Sequence, residues 1–368
     1  MRYQLVVLFL LFLGCLAMVS GCMKDDELWK HRPVPVAQGY DGLFIVCEGN
    51  FMYDNASVSY YDIHHNKVYN DVFYQTNALP LGDVAQSAVI RDSLAYIVVN
   101  NSGKIVVMNT RTFRYEGKIQ GLVSPRYIHF LDSHKAYVSD LYARSLAVID
   151  PITMEITGQI SVKTPENYSY QHPTEQMVQY ENRVYVTCWS FDNQVLVIDA
   201  SADAVIDSIE VVKQPSSLAC DRYGKIWVLS DGGIAGSPYG QESPGLTRID
   251  ALSAVIEDTF RFDPGDKLLE LKLNGTGDTL YFIHSDVYRV AVRGDFQPEV
   301  FIQRNRRNFP SGGFYALGVD PVTSEVYVAD AIDYVQRGWV YRYTAAGILR
   351  DTFQVGINPG TFCFKPKL

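Results

Sequence analysis

Short apolar runs that alternate with polar positions recur along nearly the whole chain, whereas no segment of useful length shows the 3.6-residue apolar period of a helix. Each unit reads as a turn with Pro or Gly, a short strand, a turn, a strand like YVxxx, a polar loop, a strand like VxVID, a turn and a last strand. The 25 Tyr and 18 Phe of the chain also favour strands. The pattern predicts an all-β protein with little helix.

Units of about 40–50 residues that each hold four short strands are typical of the blades of a β-propeller. Successive units begin at Asp83, Ser124, Pro173, Gln214, Lys267 and Phe314. The segment Gly42–Phe73 holds three further strands, read as GLFIVCEG, SVSYYDI and KVYNDVF, and lacks the first strand of a unit. A lone first strand runs from Asn358 to Phe364 at the C-terminus. We therefore expect a seven-bladed β-propeller whose first blade is closed by the C-terminal strand, which leaves no exposed sheet edge. One or two β-sandwiches are the alternative, which the regular repeat and the split blade disfavour.

The N-terminal segment reads as a targeting signal. Arg2 is followed by the apolar run Leu5–Ala17, which is too short and wrongly flanked to span a membrane. The residues VSGC that end at Cys22 resemble a bacterial lipobox, in which the cysteine becomes the lipidated first residue of the mature protein. An acidic cluster, Asp25–Glu27, resembles the surface-export signal of Bacteroidetes lipoproteins. The prediction is a signal peptide at 1–21, a lipidated Cys22 with a flexible tether at 22–39, and the propeller at 40–368. An ordinary secretory signal is the alternative.

The formal charge of −9 argues against nucleic-acid binding, which needs a basic stripe. Four cysteines fall in the propeller, namely Cys47, Cys188, Cys220 and Cys363, and they have neither C-x-x-C spacing nor a histidine at zinc spacing. We expect them to be small buried residues and no metal to be bound. A Cys47–Cys363 disulfide stays an alternative if the two ends of the propeller meet.

Catalytic motifs are missing from the sequence. It has no G-x-S-x-G elbow, no H-E-x-x-H and no glycine-rich phosphate loop, so the prediction is a protein that is not an enzyme and needs no cofactor. Acidic residues do recur at equivalent blade positions, at Asp140, Asp192, Asp231, Asp286 and Asp330. A central calcium and a lactonase-like hydrolysis are therefore an alternative.

One face of the predicted propeller carries all loops from the second to the third strand of a blade and from one blade to the next. We call it the loop face. Its loops are rich in Tyr, Phe, Trp, Asn and Asp, as in Trp189–Asn193, which suits a large amphipathic ligand with many amides. The alternative is that these residues pack between blades or cap turns. The predicted ligand-binding residues are Asn50, Phe51, Tyr53, Asn101, Arg126, Asp140, Tyr142, Tyr168, Tyr170, His172, Trp189, Phe191, Asp192, Asp231, Tyr239, Arg306, Phe309, Asp330 and Tyr334.

A set of motifs along the chain resembles the YncE-like propeller lipoproteins of Bacteroidetes, and among these the BtuG surface proteins. They include EGNF (Glu48–Phe51), LGDVAQS (Leu81–Ser87), SPRYI (Ser124–Ile128), PTEQMV (Pro173–Val178), YVTCWS (Tyr185–Ser190) and KIWVLSDGG (Lys225–Gly233). The resemblance implies a lipid-anchored protein on the outer surface of the outer membrane. It also implies that the protein captures cobalamin or a related corrinoid, as a ligand rather than a cofactor, for a TonB-dependent transporter of the BtuB kind.

The chemistry of a corrinoid fits the residues expected on the loop face. Its flat macrocycle suits aromatic rings, and its carboxamides suit Asp, Asn and Gln. Arg126, Arg306 and Arg307 are candidates for the phosphate of the nucleotide tail, with solvated surface charge as the alternative. His172 is either a plain loop histidine or a group that approaches the cobalt. A glycan-binding or adhesion module stays open as well, because aromatic rings also stack on sugars.

Overall fold

The computed structural model describes residues 42–163, 172–304 and 313–365, all within the compact unit Val36–Leu368. These residues form seven antiparallel sheets of four strands each. The first strands of successive sheets contact one another in a closed ring, so each sheet is one blade of a seven-bladed β-propeller, as predicted. We label the strands of a blade A to D from the axis outward.

The blades are numbered from the N-terminus, and strands are numbered along the chain. The seven A strands are β4 (Ala85–Arg91), β8 (Pro125–Phe130), β12 (Thr174–Tyr180), β16 (Pro215–Cys220), β20 (Leu269–Leu273), β24 (Phe314–Val319) and β28 (Pro359–Phe364). The B strands are β1 (Gly42–Cys47), β5 (Leu94–Val99), β9 (Ala136–Asp140), β13 (Arg183–Cys188), β17 (Lys225–Ser230), β21 (Thr279–His284) and β25 (Val326–Asp330). The C strands are β2 (Ser57–Asp62), β6 (Lys104–Asn109), β10 (Ser145–Asp150), β14 (Gln194–Asp199), β18 (Gly245–Asp250), β22 (Asp286–Ala291) and β26 (Arg337–Tyr343). The D strands are β3 (Lys67–Tyr69), β7 (Tyr115–Gln120), β11 (Glu155–Ser161), β15 (Ala204–Glu210), β19 (Ile256–Arg261), β23 (Glu299–Ile302) and β27 (Leu349–Ile357).

The C-terminal strand closes the ring by pairing with the first strand of the described chain. β28 runs antiparallel to β1, with Phe44 opposite Cys363 and Cys47 opposite Pro359. Because this register sets the two thiols three positions apart, Cys47 and Cys363 are both free, and the disulfide left open by the sequence is not formed. The other two cysteines are also free. Three of the four are buried as expected, while Cys220 is only half-buried.

One short helix departs from the sequence prediction, which assigned Lys67–Phe73 to a strand. β3 has only three residues, and Asp71 turns the chain with a left-handed φ of 56° into α1 (Val72–Asn77). The helix buries Val72 and Phe73. Asn77 holds its far end, because its Nδ2 donates to the carbonyl of Phe113 at 2.9 Å.

The apolar core lies between neighbouring blades. Middle strands such as β9 and β13 are almost wholly buried, whereas outer strands such as β11 alternate between exposed and half-buried positions. A typical seam joins Tyr137 of blade 3 to Val184 and Cys188 of blade 4. Strands buried on both faces explain why B and C read as continuous apolar runs in the sequence.

The targeting predictions lie outside the described residues. These are the signal peptide at 1–21, the lipidated Cys22 and the tether at 22–39. In the described part of the chain, no helix is long and apolar enough to cross a membrane.

Candidate functional site

Exposed aromatic rings are concentrated on the loop face. Among the described residues, six of the nine strongly exposed Phe and Tyr rings lie in loop-face loops, and their exposure runs from 45% at Phe191 to 74% at Tyr53. The six are Phe51, Tyr53, Tyr142, Phe191, Tyr239 and Tyr334. Of the other three, Tyr74 and Tyr115 lie on α1 and β7, and Tyr223 lies in an A–B turn of the opposite face. Large exposed apolar patches are often interaction sites, so the loop face is the candidate functional surface.

The loop between β13 and β14 shows how such rings are held. It comprises residues 189–193, as predicted, and turns through left-handed φ values of 54° at Ser190 and 72° at Phe191. The Phe191 ring lies 4.7 Å from the ring of Tyr239, centroid to centroid, on the neighbouring blade. Trp189 points inward, where its ring lies under the guanidinium of Arg126 at 5.6 Å. One aromatic residue of the loop therefore faces solvent, and the other supports the polar centre of the face.

A β-bulge interrupts every A strand directly after its first residue. In each of the seven A–B pairings the second A residue is skipped by the strand ladder. Bulges re-aim a side chain and are common beside functional sites. The seven second residues surround the loop-face end of the axis, and we call them the axial ring: Gln86, Arg126, Glu175, Ser216, Glu270, Tyr315 and Gly360.

Three neighbouring members of the axial ring are joined by short hydrogen bonds. Arg126 donates from Nε and Nη2 to the two carboxylate oxygens of Glu175, at 2.7 and 2.8 Å, and from Nη1 to Oε1 of Gln86 at 2.6 Å. The side chains of Arg126 and Glu175 are 13% and 5% exposed. Burial alone lowers the pKa of Arg126, but the Glu175 carboxylate outweighs burial and raises it. The guanidinium is thus a permanent charge at the centre of the face.

Glu48 completes the axial ring at blade 1. A Cβ added at Gly360 would lie 2.2 Å from Oε1 of Glu48, so the glycine leaves the space that this carboxyl group occupies. Tyr315 donates to the other oxygen of Glu48 at 2.9 Å, and the Tyr315 ring packs edge-on against Tyr334 of the rim at 5.7 Å. Burial raises the pKa of Glu48 to about 7, against the opposing effects of Tyr315 and Arg126. Glu48 therefore exchanges a proton near neutral pH.

Below the axial ring, the A strands line an open cavity of about 520 Å³ along the axis. Its wall combines charged side chains such as Arg91, Glu270 and Lys272 with apolar ones such as Leu273 and Phe364. Gln176 donates from Nε2 to the hydroxyl oxygen of Tyr127 at 3.2 Å. The axial ring thus lies between the loop face and this cavity.

Three of the recurring aspartates, Asp140, Asp286 and Asp330, accept hydrogen bonds from backbone N–H groups of the loop-face loops. Asp140, predicted to bind ligand, is 3% exposed and accepts four backbone N–H bonds, from residues 123, 124, 142 and 143. Asp330 is 1% exposed and caps the N–H of Ile332 at 2.8 Å, and Asp286 caps Arg304 at 2.7 Å. Among the described residues these carboxylates do not meet at one point. Asp140 and Asp330 are therefore buried caps of these loops, and the ligand contacts expected of them stay a prediction.

Asp231 and Asp192 are more accessible and hold side chains across loops. Asp231 accepts from Nε2 of Gln214 at 2.9 Å and from Nε1 of Trp189 at 3.5 Å, and burial raises its pKa. A hydrogen bond of 2.7 Å joins Oδ2 of Asp192 to Nδ1 of His172. The predicted contacts His172 and Asp192 are thus a pair.

The remaining predicted residues fall into two groups. Asn50 donates from Nδ2 to the carbonyl of Tyr334 at 2.5 Å, and Asn101 donates to Oδ2 of Asp83 at 2.5 Å, so both fix loops at the rim. The others lie outside the described residues, namely Tyr168, Tyr170, Arg306, Arg307 and Phe309. Arg126, expected in a loop, lies within β8 and is already paired with Glu175.

Sequence reasoning missed Glu48, Glu175, Gln86 and Tyr315. A signal for the last three was available, because each directly follows the first residue of an A strand when the repeats are aligned on their Pro or apolar start. Alignment of the repeats on loops alone concealed this shared position.

Solved structures with similar folds come from several functional classes. Hydrazine synthase of Kuenenia stuttgartiensis aligns with a TM-score of 0.62 at 14% identity, over 77% of this chain and 90% of that one. A quinonprotein alcohol dehydrogenase-like protein of Bacteroides thetaiotaomicron aligns with a TM-score of 0.66 at 15% identity, over 88% and 78%. The periplasmic gluconolactonase of Pseudomonas aeruginosa, PpgL, aligns with a TM-score of 0.63 at 12% identity, over 88% and 99%. At these identities the likeness supports the propeller fold alone.

No curated protein sequence matches the chain. A family model described as "Domain of unknown function (DUF5074)" matches residues 41–356, which is nearly the whole propeller. The chain therefore belongs to the DUF5074 family.

Proposed function

We propose that this protein is a ligand-capture propeller that binds cobalamin or a related corrinoid on its loop face. The observation that carries the proposal is the concentration of exposed aromatic rings on that face, among them Phe51, Tyr142 and Phe191, together with the polar axial ring. Large rings bury apolar area at a small entropic cost, and a few fixed polar groups orient the ligand. A flat macrocycle fringed with carboxamides has matching chemistry.

The axial ring supplies the polar half of the match. Glu48, Glu175 and Glu270 offer carboxyl oxygens to amide N–H donors, while Arg126 and Gln86 offer donors to carbonyl oxygens. Because Arg126 and Glu175 hold each other with 2.7 and 2.8 Å bonds, their positions are set before a ligand arrives. Preorganised groups of this kind lower the entropic cost of binding.

The setting of the proposed activity follows from the resemblance and the lipobox. Lipidation at Cys22 and the acidic tether would hold the propeller on the outer surface of the outer membrane. The partner we propose is a TonB-dependent transporter of the BtuB kind, over whose pore the propeller would sit. Co-purification after mixing the two proteins in detergent tests this partnership, and separate elution would argue against it. The role proposed for the protein involves no catalysis.

The capture proposal is tested by size exclusion of the purified protein with cyanocobalamin, read at the corrin and protein absorbance bands. Co-elution of the colour is expected, and Phe191→Ala and Tyr142→Ala each weaken binding at least tenfold, or about 1.4 kcal/mol. Tyr223→Ala is the matched control, because this exposed ring lies on the opposite face. If the colour elutes free at micromolar protein, the corrinoid assignment is wrong.

Glycan binding is the second candidate, because the same exposed rings and axial carboxylates suit a sugar with its hydroxyl groups. A glycan array probed with the same protein distinguishes it from corrinoid capture. The calcium-dependent lactonase-like alternative has the fold likeness to PpgL in its favour, but the aspartates it needs are engaged in loop caps. Lactone hydrolysis that depends on added calcium would support it.

A further inference from the structure

We propose that His172, Cys188 and Asp192 form a binding site for a transition-metal ion of the zinc class at the loop-face end of the seam between blades 3 and 4. One ligand atom from each of the three residues lies within 4.8 Å of the other two. It is the one such group of His, Cys, Asp and Glu residues in the described ranges 42–163, 172–304 and 313–365. The sequence predicted no metal site, because the three residues have no recognised metal-binding spacing.

The donor set determines which ions fit. A thiolate, an imidazole and a carboxylate together suit Zn²⁺ and related transition metals, whereas Ca²⁺ and Mg²⁺ prefer oxygen donors alone. Three protein ligands also leave a fourth tetrahedral position for water or a ligand group, as in catalytic zinc sites. Zinc bond lengths place tetrahedral donors about 3.3–3.6 Å apart, so the three side chains need only small adjustments.

The backbone fixes the three residues independently of any metal. The N–H of His172 donates to the carbonyl of Val162 at 3.0 Å, which ties the histidine to blade 3. The carbonyl of Asp192 accepts from the N–H of Gln214 at 2.7 Å on blade 5. Cys188 is the last residue of β13, and its side chain lies in the seam core. Metal ligands positioned by rigid elements bind with little ordering cost.

The accessible side of the cluster faces the loops. The side chains of His172 and Asp192 are 17% and 16% exposed, while Cys188 is fully buried below them. An ion arriving from the loop face therefore meets the imidazole and carboxylate first, and the sulfur closes the site from beneath. Burial, together with the charge of Asp192, holds the pKa of the Cys188 thiol well above its ordinary value, so the thiol carries its proton in the metal-free protein.

Metal binding has a definite proton balance. The Cys188 S–H bond breaks, its proton goes to water and an S–metal bond forms. In the metal-free protein, Nδ1 of His172 and Oδ2 of Asp192 are joined by a hydrogen bond of 2.7 Å, which a metal ion bound to both atoms would replace. A neutral imidazole that coordinates through Nδ1 carries its proton on Nε2, so for that form the only proton released for each ion bound is that of the Cys188 thiol.

The test is a titration of the untagged protein with Co²⁺ as the probe for a zinc-class ion, followed in the near ultraviolet for the sulfur-to-cobalt charge-transfer band. We expect one ion per chain, with displacement by Zn²⁺. Cys188→Ser abolishes the band, and His172→Ala and Asp192→Asn weaken binding at least tenfold. Cys220→Ser is the matched control, because this half-buried free cysteine lies outside the cluster, and it leaves the band unchanged.

Two outcomes overturn the proposal. One is the absence of a stoichiometric band in the wild-type protein, and the other is a band that survives Cys188→Ser. If Cys188→Ser does not fold, His172→Ala and Asp192→Asn decide, with circular dichroism as the check on their fold. No corrinoid is present in the metal titration, so its result does not depend on whether the protein binds a corrinoid. The corrinoid-binding test likewise does not depend on whether the protein binds a metal.

Discussion

The guanidinium of Arg126 and the carboxylate of Glu175 form a two-pronged ion pair, at 2.7 and 2.8 Å, between the A strands of blades 3 and 4. Both residues are the bulged second residue of their strand. The pair therefore ties two blades together at the axis and also presents fixed charge to the centre of the loop face. The same contact bears on stability and on binding.

Removal of one partner leaves a buried charge uncompensated, which typically lowers folding stability by about 3–5 kcal/mol. We expect Arg126→Ala and Glu175→Gln each to lower the free energy of unfolding by about 3 kcal/mol in urea titrations. Arg289→Ala is the matched control, because its pair with Glu299 is exposed and contributes about 1 kcal/mol or less. Equal losses in all three variants would show that the axial pair contributes no more to stability than the exposed pair.

The proton on Glu48 makes stability depend on pH. Burial raises the pKa of Glu48 from 4.5 to about 7, so the folded state holds the proton more tightly than the unfolded state. The contribution of this group to stability is fully present below pH 4.5 and is lost as the pH rises through 7. Between pH 5 and pH 8 we expect the wild-type protein to lose on the order of 2 kcal/mol of its free energy of unfolding through this group. The Glu48→Gln protein should not show this loss.

The measurement is the free energy of unfolding of wild type and Glu48→Gln at both pH values. Glu116→Gln, at an exposed position, is the control and should keep the wild-type slope. A Glu48→Gln slope equal to that of the wild type would contradict the prediction.

Much of the fold was predictable from the sequence because each unit repeats the same strand and turn chemistry. The lone strand that starts at Pro359 closes the ring because its turn and apolar pattern match those of the other A strands. The loop 189–193 was also bounded correctly, since β-branched runs end sharply on both sides of it. The short helix α1 was not predictable, because it depends on a left-handed turn at Asp71.

The candidate site was predictable only in part. The exposed rings could be assigned to one face from topology, since loop position alone decides the face. The axial ring could not, because a bulge is set by the register between A and B strands, which one strand's sequence does not reveal. The role of Asp140 as a cap was not predictable, because a carboxylate that caps four N–H groups looks, in sequence, like one that faces a ligand.

Asp140 gives a direct test of its role as a cap. Asp140→Ala leaves four backbone N–H groups near the loop without their acceptor, and each buried unsatisfied donor costs about 1–3 kcal/mol unless water reaches it. We expect a loss of about 3 kcal/mol in the free energy of unfolding by urea. The exposed Asp207→Ala is the control, with a change of about 0.5 kcal/mol or less. A stable Asp140→Ala protein that has lost only ligand affinity would contradict this prediction and support Asp140 as a ligand contact.

Gly360 and Glu48 are predicted to be energetically coupled. A methyl group at Gly360 would overlap Oε1 of Glu48, so Gly360→Ala must displace this carboxyl group, which disturbs the 2.9 Å hydrogen bond from Tyr315 to its other oxygen. We expect Gly360→Ala to cost about 1–3 kcal/mol, and the cost to fall by about 1 kcal/mol or more when Glu48→Ala is also present. The coupling is measured by a double-mutant cycle in urea. Gly158→Ala is the control, because a methyl group there meets Val148 at an ordinary 3.5 Å. Additive effects of Gly360→Ala and Glu48→Ala would mean that the glycine is not what makes room for the carboxyl group in the axial ring.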